Sequence, residues 1–203
     1  MGEELRRLGG RSAPYLREQV ERAAAAFVAG RDREVIGLLR PVRERVPDAV
    51  SVRELLGLSL YRDGRYRDAR RELEAFARLT GSTEHHPVLM DCARAQGRYA
   101  RVEELWAELA RASPGADVVT EGRIVRAGAR ADQGDLAGAL ALLRPAARRH
   151  RRPDRPHVRR LWYALADLEE RAGNLATARR LWAQLRAADP TFADVTERLR
   201  AIS

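Results

Sequence analysis

The stretch from Arg148 to Arg160, RRHRRPDRPHVRR, holds the residues whose types point most directly to a binding chemistry. It contains seven arginines and one aspartate, and so carries +6 of the chain's net charge of +9. The arginines are Arg148, Arg149, Arg151, Arg152, Arg155, Arg159 and Arg160. Guanidinium groups bind phosphates and carboxylates through paired hydrogen bonds, so a nucleic acid is one candidate partner for this basic loop.

The composition of the whole chain weakens that inference. All 38 basic residues are arginine and none is lysine. Outside the stretch, 31 basic and 28 acidic side chains nearly balance. An arginine-rich, lysine-free composition is typical of a GC-rich genome, so positive charge alone is weak evidence for a polyanionic partner. Nucleic-acid association through the basic loop is therefore an alternative hypothesis.

A second group of chemically capable residues, His85, His86, Asp91 and Cys92, suggests a metal site at first sight. Adjacent histidines point in different directions, and no recurring spacing of zinc ligands accompanies them. The sequence also lacks a nucleophile elbow, a phosphate-binding glycine-lysine loop and an HExxH motif. We therefore expect no metal, no other cofactor and no enzymatic activity.

The composition also bounds the fold class and the compartment. Alanine, leucine, arginine and glutamate favour helices, while the alternating β-branched runs that predict strands are almost absent. Cys92 is the only cysteine, which favours a reducing compartment. The opening residues, MGEELRRLGG, lack the apolar run of a signal peptide, and no long apolar span follows. We expect an all-α protein in the cytoplasm.

Five glycines recur at intervals of 34, 33, 37 and 39 residues, each between two amphipathic stretches; they are Gly30, Gly64, Gly97, Gly134 and Gly173. The fifth residue after each glycine is small or β-branched, and the ninth is large and apolar. A gap of four residues places both on one face of a helix that follows the glycine. Intervals of this length predict repeated helical hairpins.

The residues around these glycines resemble the tetratricopeptide repeat (TPR). In the segment 161–190, Trp162, Leu165 and Ala166 match the first helix of the TPR signature, Gly173 matches its turn, and Ala178, Trp182 and Pro190 match its second helix. The segment around Gly64, LLGLSLYRDGRYRDARRELEAFARL, is similar, and the other three repeats share the register. The segment 86–106 also resembles part of bacterial TPR proteins that have no assigned activity.

The resemblance implies an all-α fold, a right-handed superhelix or solenoid of about five helix-turn-helix repeats. The expected repeats are residues 16–49, 50–82, 83–116, 117–156 and 157–190, within a single domain of residues 13–203. Residues 1–12 are expected to form a flexible N-terminus. In residues 191–202, a face of Phe192, Val195, Leu199 and Ile202 opposes Asp194, Glu197 and Arg198, which predicts a capping helix with a polar outer side.

TPR-like arrays bind proteins or peptides in a concave groove lined by the first helices of the repeats, and the resemblance implies the same use here. The register assigns nine candidate contact residues to this groove: Arg17, Phe27, Glu54, Tyr61, Asp91, Arg94, Tyr163, Asp167 and Glu170. The alternative is that they form a solvated charged face. We predict a non-enzymatic protein-interaction module, with a nucleic-acid-associated protein or a self-associating scaffold as alternatives.

The same register gives structural roles to other prominent residues. Trp106, Trp162 and Trp182 occupy positions that the repeat uses for packing, so we expect them in the core. The arginine stretch falls in the longest interval between glycines. We expect residues 148–150 to complete a second helix, Pro153 and Pro156 to lie in a loop, and residues 157–160 to open the next helix.

Overall fold

The structure, a computed structural model, describes residues 13–202, and every regular element in that range is an α-helix. The helices are α1 (Ala13–Val28), α2 (Asp32–Arg45), α3 (Val50–Arg62), α4 (Tyr66–Thr80), α5 (His86–Arg94), α6 (Tyr99–Ala112), α7 (Ala116–Asp132), α8 (Leu136–Ala147), α9 (Pro156–Arg171), α10 (Leu175–Ala188) and α11 (Val195–Ala201). The expected flexible N-terminus, residues 1–12, lies outside the described residues. Within the described range, no helix is both long and apolar enough to cross a membrane.

The chain divides into two compact units, with unit 1 ending at Arg98 and unit 2 beginning at Tyr99. Unit 1 therefore contains α1 to α5, and unit 2 contains α6 to α11. The first, second, fourth and fifth predicted hairpins each lie within one unit. The single-domain organisation and the repeat boundaries stay predictions.

Each of the five recurring glycines ends a helix with the same turn. All five adopt a positive φ, between 68° and 84°, a conformation that is costly for residues with a Cβ atom. In each case the residue after the glycine donates its amide proton to a carbonyl five residues earlier, as Asn174 does to Glu169 at 2.8 Å. This bond satisfies a carbonyl at the helix end. The regular glycine spacing therefore corresponds to a regular series of helix ends.

The core of unit 1 is built from the residues that the repeat register places on facing helices. Val35 and Leu39 from α2 and Leu56 and Leu60 from α3 are almost completely buried. Gly57 permits close packing of α3 on α4, since a Cβ atom at that position would lie 2.7 Å from the side chain of Leu73. Small residues at these positions let the helix axes approach, and the large residues fill the remaining space.

Unit 1 also contains a fully buried carboxylate. Glu72 on α4 is fully buried and forms an ion pair with Arg53 on α3, whose side chain is 14% exposed. Arg43 on α2 approaches the same carboxylate at 3.7 Å. The pair joins two helices of the unit through a contact that excludes water, so each charge depends on the other for its stabilisation.

The core of unit 2 centres on Trp182, which is completely buried on α10. Leu143 from α8 and Leu161 from α9 belong to the same apolar cluster, which Val195 and Leu199 of α11 complete. The apolar face predicted for the capping helix thus packs on the core of this unit.

The three tryptophans differ in burial. Trp162 and Trp182 are in the core as expected, with exposed fractions of 6% and 0%. Trp106 is only half-buried, and the guanidinium groups of Arg123 and Arg126 lie 5.7 and 5.3 Å from the centre of its ring. Part of this indole therefore packs under cations rather than inside the core.

Candidate functional site

Four of the nine predicted groove residues form polar contacts between α3 and α5 or within α5 in unit 1. Glu54 Oε1 on α3 lies 2.8 Å from Nε2 of His85, the residue that precedes α5. Tyr61 donates its hydroxyl proton to Asp91 Oδ2 at 2.6 Å, and Arg94 donates to Asp91 Oδ1 at 3.3 Å. The structure thus brings these four residues onto one mixed polar surface, which is part of the predicted first-helix groove of unit 1.

The hydroxyl of Tyr61 serves as a hydrogen-bond donor on this surface. Burial raises the pKa of Tyr61 well above its ordinary value, and the hydrogen bond to Asp91 raises it further. The phenol therefore stays protonated near neutral pH and acts as a hydrogen-bond donor. A general acid or base needs a pKa close to the working pH, which this group does not have.

The other two predicted residues of unit 1 lie on α1. Arg17 is exposed to solvent. Phe27 is half-buried, and the guanidinium of Arg62, at the end of α3, lies 4.2 Å above the centre of its ring. This cation–π contact joins α1 to α3 at the same end of the hairpin pair.

In unit 2 the predicted residues Tyr163, Asp167 and Glu170 all contact the chain's own last helix, α11. Tyr163 donates to Asp194 Oδ1 at 2.6 Å, just before α11 begins. Arg198 on α11 donates to Asp167 Oδ1 at 2.8 Å and to Glu170 Oε2 at 3.1 Å. These residues therefore hold a helix of the same chain against α9.

Aromatic packing supports this contact between α9 and α11. The indole N–H of Trp182 donates to Glu170 Oε2 at 3.0 Å, and the Arg198 guanidinium lies 4.9 Å from the centre of the indole ring. Burial disfavours the charged form of Arg198, but the hydrogen bonds to Asp167 and Glu170 outweigh it and raise its pKa. Burial, together with the bond to Asp194, raises the pKa of Tyr163 to about 12.

The sequence pattern assigns Asp194 and Arg198 to the polar outer side of the capping helix. In the structure both contact α9. Residues 194 and 198 lie one turn apart at the border of the apolar stripe of Val195 and Leu199. A long arginine side chain at that border reaches back to the carboxylates of α9 while its stem covers Trp182. The sequence alone does not show whether Arg198 forms this contact or is solvated, because the positions of the carboxylates depend on the tertiary structure.

Removing Arg198 is expected to loosen α11 from α9. Arg198→Ala leaves the carboxylates of Asp167 and Glu170 without their shared guanidinium, and we expect a loss of about 1–2 kcal/mol for a partly buried charge-assisted network. Hydrogen exchange of the α11 amides measures the change as faster exchange. Arg200→Ala is the matched control because Arg200 is exposed on the same helix. Equal exchange rates in the two variants would contradict the contact.

The basic loop, Arg148–Arg160, covers the connection between α8 and α9 and the first turn of α9. Helix α8 ends at Ala147, three residues earlier than the sequence pattern predicts, and α9 begins at Pro156. Two of its arginines are engaged: Arg159 donates to Asp189 at 2.8 Å, and Arg160 donates to Glu121 at 2.5 Å. The other five are exposed and have no ion pair with a described carboxylate; they are Arg148, Arg149, Arg151, Arg152 and Arg155. The loop thus combines structural arginines with uncompensated ones.

The histidine and cysteine group near α5 is occupied by protein contacts. His85 pairs with Glu54, and Cys92 is completely buried in the core of unit 1. Burial raises the pKa of the Cys92 thiol to about 12, so it stays protonated. Among residues 13–202, no three histidine, cysteine or acidic side chains are grouped so that they could hold a metal ion.

The chain matches no family model, and no curated protein is significantly similar to it. Solved structures do resemble it. TTC0263, a thermophilic TPR protein of Thermus thermophilus, has a TM-score of 0.69 at 17% identity, over 92% of this chain and 98% of its own. The nearly identical TPR-like repeats of a Podospora anserina protein assigned as a kinesin light chain have a TM-score of 0.64 at 19% identity, over 94% and 100%.

A third similar structure is YrrB, described as a TPR protein with an unusual peptide-binding site. Its TM-score is 0.54 at 14% identity, over 90% of this chain and 90% of its own. All three neighbours are TPR or TPR-like proteins and cover nine-tenths or more of the chain. The sequence prediction of an all-α helical-repeat fold of the TPR type is confirmed: the chain has the TPR fold.

Proposed function

We propose that this chain is a non-enzymatic protein-interaction module that binds a protein or peptide along the groove formed by its first helices. The observation that carries the proposal is the set of polar contacts that tie α11, and the residue just before it, to the first helix α9. There a helical segment is held by the predicted groove residues Tyr163, Asp167 and Glu170, through one arginine and one aspartate. The side chains of a first helix in this chain therefore suit a helical peptide of mixed charge.

The fold supports the same function. The neighbouring structures are TPR proteins, and one of them, YrrB, is described as having a peptide-binding site. The five glycine turns and the buried helix faces hold the first helices in place before any partner arrives. A preorganised surface loses little conformational entropy on binding, so charge complementarity and aromatic anchors can set its specificity.

Unit 1 is the part of the groove that we propose for an external partner. In unit 2, α11 already engages Tyr163, Asp167 and Glu170, so a partner there has to displace it. In unit 1, Arg17 is exposed, and Glu54 keeps a 35% exposed side chain while it pairs with His85. These two residues lie on the first helices α1 and α3 and offer opposite charges to a partner.

Exchanging the charges of Arg17 and Glu54 is expected to weaken partner binding strongly while preserving net charge. We call the double variant Arg17→Glu/Glu54→Arg the groove swap. Reversing two complementary charges lowers affinity by about tenfold or more, because each attraction becomes a repulsion. Quantitative mass spectrometry of proteins captured from native lysate measures the effect, with the purified full chain immobilised as bait.

The matched control is the double variant Glu44→Arg/Arg67→Glu, which we call the control swap. Both residues are exposed, and they lie on the second helices α2 and α4 of the same unit. We expect the control swap to capture the same proteins as the wild type. Circular dichroism and urea denaturation verify that the two variants remain folded. If the groove swap and the control swap capture equal amounts, the first-helix groove of unit 1 is not the binding site.

A further inference from the structure

We propose that unit 2 carries a second binding site, in the cleft between α8 and α10, for an acidic peptide segment with one bulky apolar side chain. This cleft lies along second helices, so the proposal is independent of the first-helix groove. It rests on two adjoining cavities, an apolar floor and a rim of arginines that form no ion pair with a carboxylate in residues 13–202.

The cleft consists of two cavities of about 360 and 350 Å³. Trp162 of α9 and Gln184 of α10 line both, so the cavities adjoin along the length of α10. The first extends toward Arg148 at the end of α8, and the second extends toward Pro153 in the basic loop. The two cavities together follow α10 from Thr177 to Ala188, which gives room for a short extended segment.

The floor of the cleft is apolar. Trp162, Leu165 and Leu181 line the first cavity, and each belongs to the core of unit 2 with no more than 7% of its surface exposed. Because the core holds these side chains in place, the floor is already formed before a ligand arrives. Concave sites of this size with a rigid apolar lining and a few polar groups are where proteins bind ligand side chains. The floor therefore suits a leucine, a phenylalanine or a residue of similar size.

The rim of the cleft is cationic. Arg148 and Arg180 line the first cavity, and Arg151 and Arg152 line the second, together with one acid, Asp154. These four side chains are exposed, and none lies within ion-pair distance of a carboxylate in residues 13–202. The one buried carboxylate that lines the first cavity, Glu169, pairs with Arg144 at 2.7 Å, and the charge of Arg180 also stabilises it.

The positive charge continues beyond the cleft. A third cavity, of about 560 Å³, is lined by Arg149 and Arg155 as well as by Arg151 and Arg152, with Asp154 as its one acidic residue. Burial lowers the pKa of Arg123 on α7, and the charge of Arg149 lowers it further. Arg123 and Arg149 therefore repel each other, and an anionic ligand near Arg149 relieves that repulsion.

A peptide fits these features better than a nucleic acid does. Proteins that bind single strands present exposed aromatic faces on which bases stack, whereas Trp162, only 6% exposed, is buried at the floor of the cleft. A duplex is too wide to enter cavities of this volume, so it would touch only the rim. An acidic peptide satisfies both parts of the site, since its carboxylates pair with guanidinium groups and its apolar side chain enters the cleft.

Selection of random peptides about twelve residues long, displayed on phage, against the full chain tests the proposal. We expect the enriched sequences to place aspartates or glutamates around one leucine or aromatic residue. The best of them, synthesised with a fluorescent label, is then titrated by anisotropy against wild type and variants. The rim variant Arg148→Glu/Arg180→Glu is expected to weaken binding by about tenfold or more.

The control variant Arg179→Glu/Arg186→Glu changes two exposed arginines of α10 that do not line either cavity, and we expect less than about a twofold change. The groove swap is expected to leave this peptide's affinity unchanged, which separates the cleft from the first-helix groove.

Three results would overturn the proposal. The first is a selection that enriches no acidic-apolar pattern, and the second is equal peptide binding by the rim and control variants. The third is tighter binding of a single-stranded RNA or duplex DNA of about twenty nucleotides per strand, lost in the rim variant and falling steeply with salt. That outcome would assign the surface to nucleic acid.

Discussion

Replacing Trp182 with alanine is expected to lower the free energy of unfolding by about 3–5 kcal/mol. Trp182 is completely buried, and its indole packs edge-on to Tyr163 with 5.0 Å between ring centres. The substitution leaves a cavity between α9, α10 and α11 and also removes the hydrogen bond to Glu170. The loss of packing and the loss of the contact with α11 therefore both lower the free energy of unfolding.

Trp106→Ala is the comparison that isolates burial. The same atoms are removed, but Trp106 is half-buried under two arginines, so we expect a loss of only about 1–2 kcal/mol. Urea denaturation of both variants, followed by circular dichroism, gives the two values. Trp106 and Trp182 occupy equivalent positions in the repeat, but the structure buries them to different extents. Equal losses of stability in the two variants would contradict that difference.

Replacing Glu72 with alanine is expected to cost about 3–5 kcal/mol, because it leaves the largely buried guanidinium of Arg53 without its carboxylate. The carboxylate of Glu72 on α4 is fully buried, and Arg43 of α2 and Arg53 of α3 both approach it. Urea denaturation measures the loss. Glu104→Ala, which removes an exposed partner of Arg101, is expected to change stability by less than about 0.5 kcal/mol.

The double variant Arg53→Met/Glu72→Leu distinguishes a broken ion pair from a simple loss of packing. Removing both charges and keeping similar volume eliminates the unpaired buried cation, so we expect most of the stability to return. If the double variant is as unstable as Glu72→Ala, the cost lies in packing rather than in the uncompensated charge.

The part of the fold that the sequence predicts depends on local conformational and packing requirements that recur at a regular spacing. Gly64 and Gly173 recur because a left-handed residue is needed at each helix end, and Ala69 and Ala178 recur because facing helices approach closely at those positions. Such requirements act within one hairpin, so they are visible in sequence spacing.

The contacts that the sequence leaves open depend on distances between repeats. Tyr61 and Asp91 are assigned to the same groove by register, but nothing in their spacing shows that they bond to each other. Arg159 and Arg160 look the same as Arg151 and Arg152 in the sequence, yet the first two pair with acids 30 and 39 residues away. In a chain that uses arginine for every positive charge, only the tertiary structure separates paired from unpaired guanidinium groups.

The contact of α11 with α9 is another contact that sequence spacing only partly predicts. The apolar positions of the last helix predict that it covers the end of the core, and it does. Its polar residues Asp194 and Arg198 engage three predicted groove residues, and this requires the carboxylates of α9 to lie within reach. Their engagement is the reason that we place the external partner in unit 1.

The most direct test of the proposed function is the side-by-side capture of proteins from native lysate by the wild type, the groove swap and the control swap. We expect the wild type and the control swap to retain the same proteins in equal amounts. The groove swap is expected to retain them at about one-tenth of that level or less. Equal retention by all three would contradict binding through the first-helix groove of unit 1.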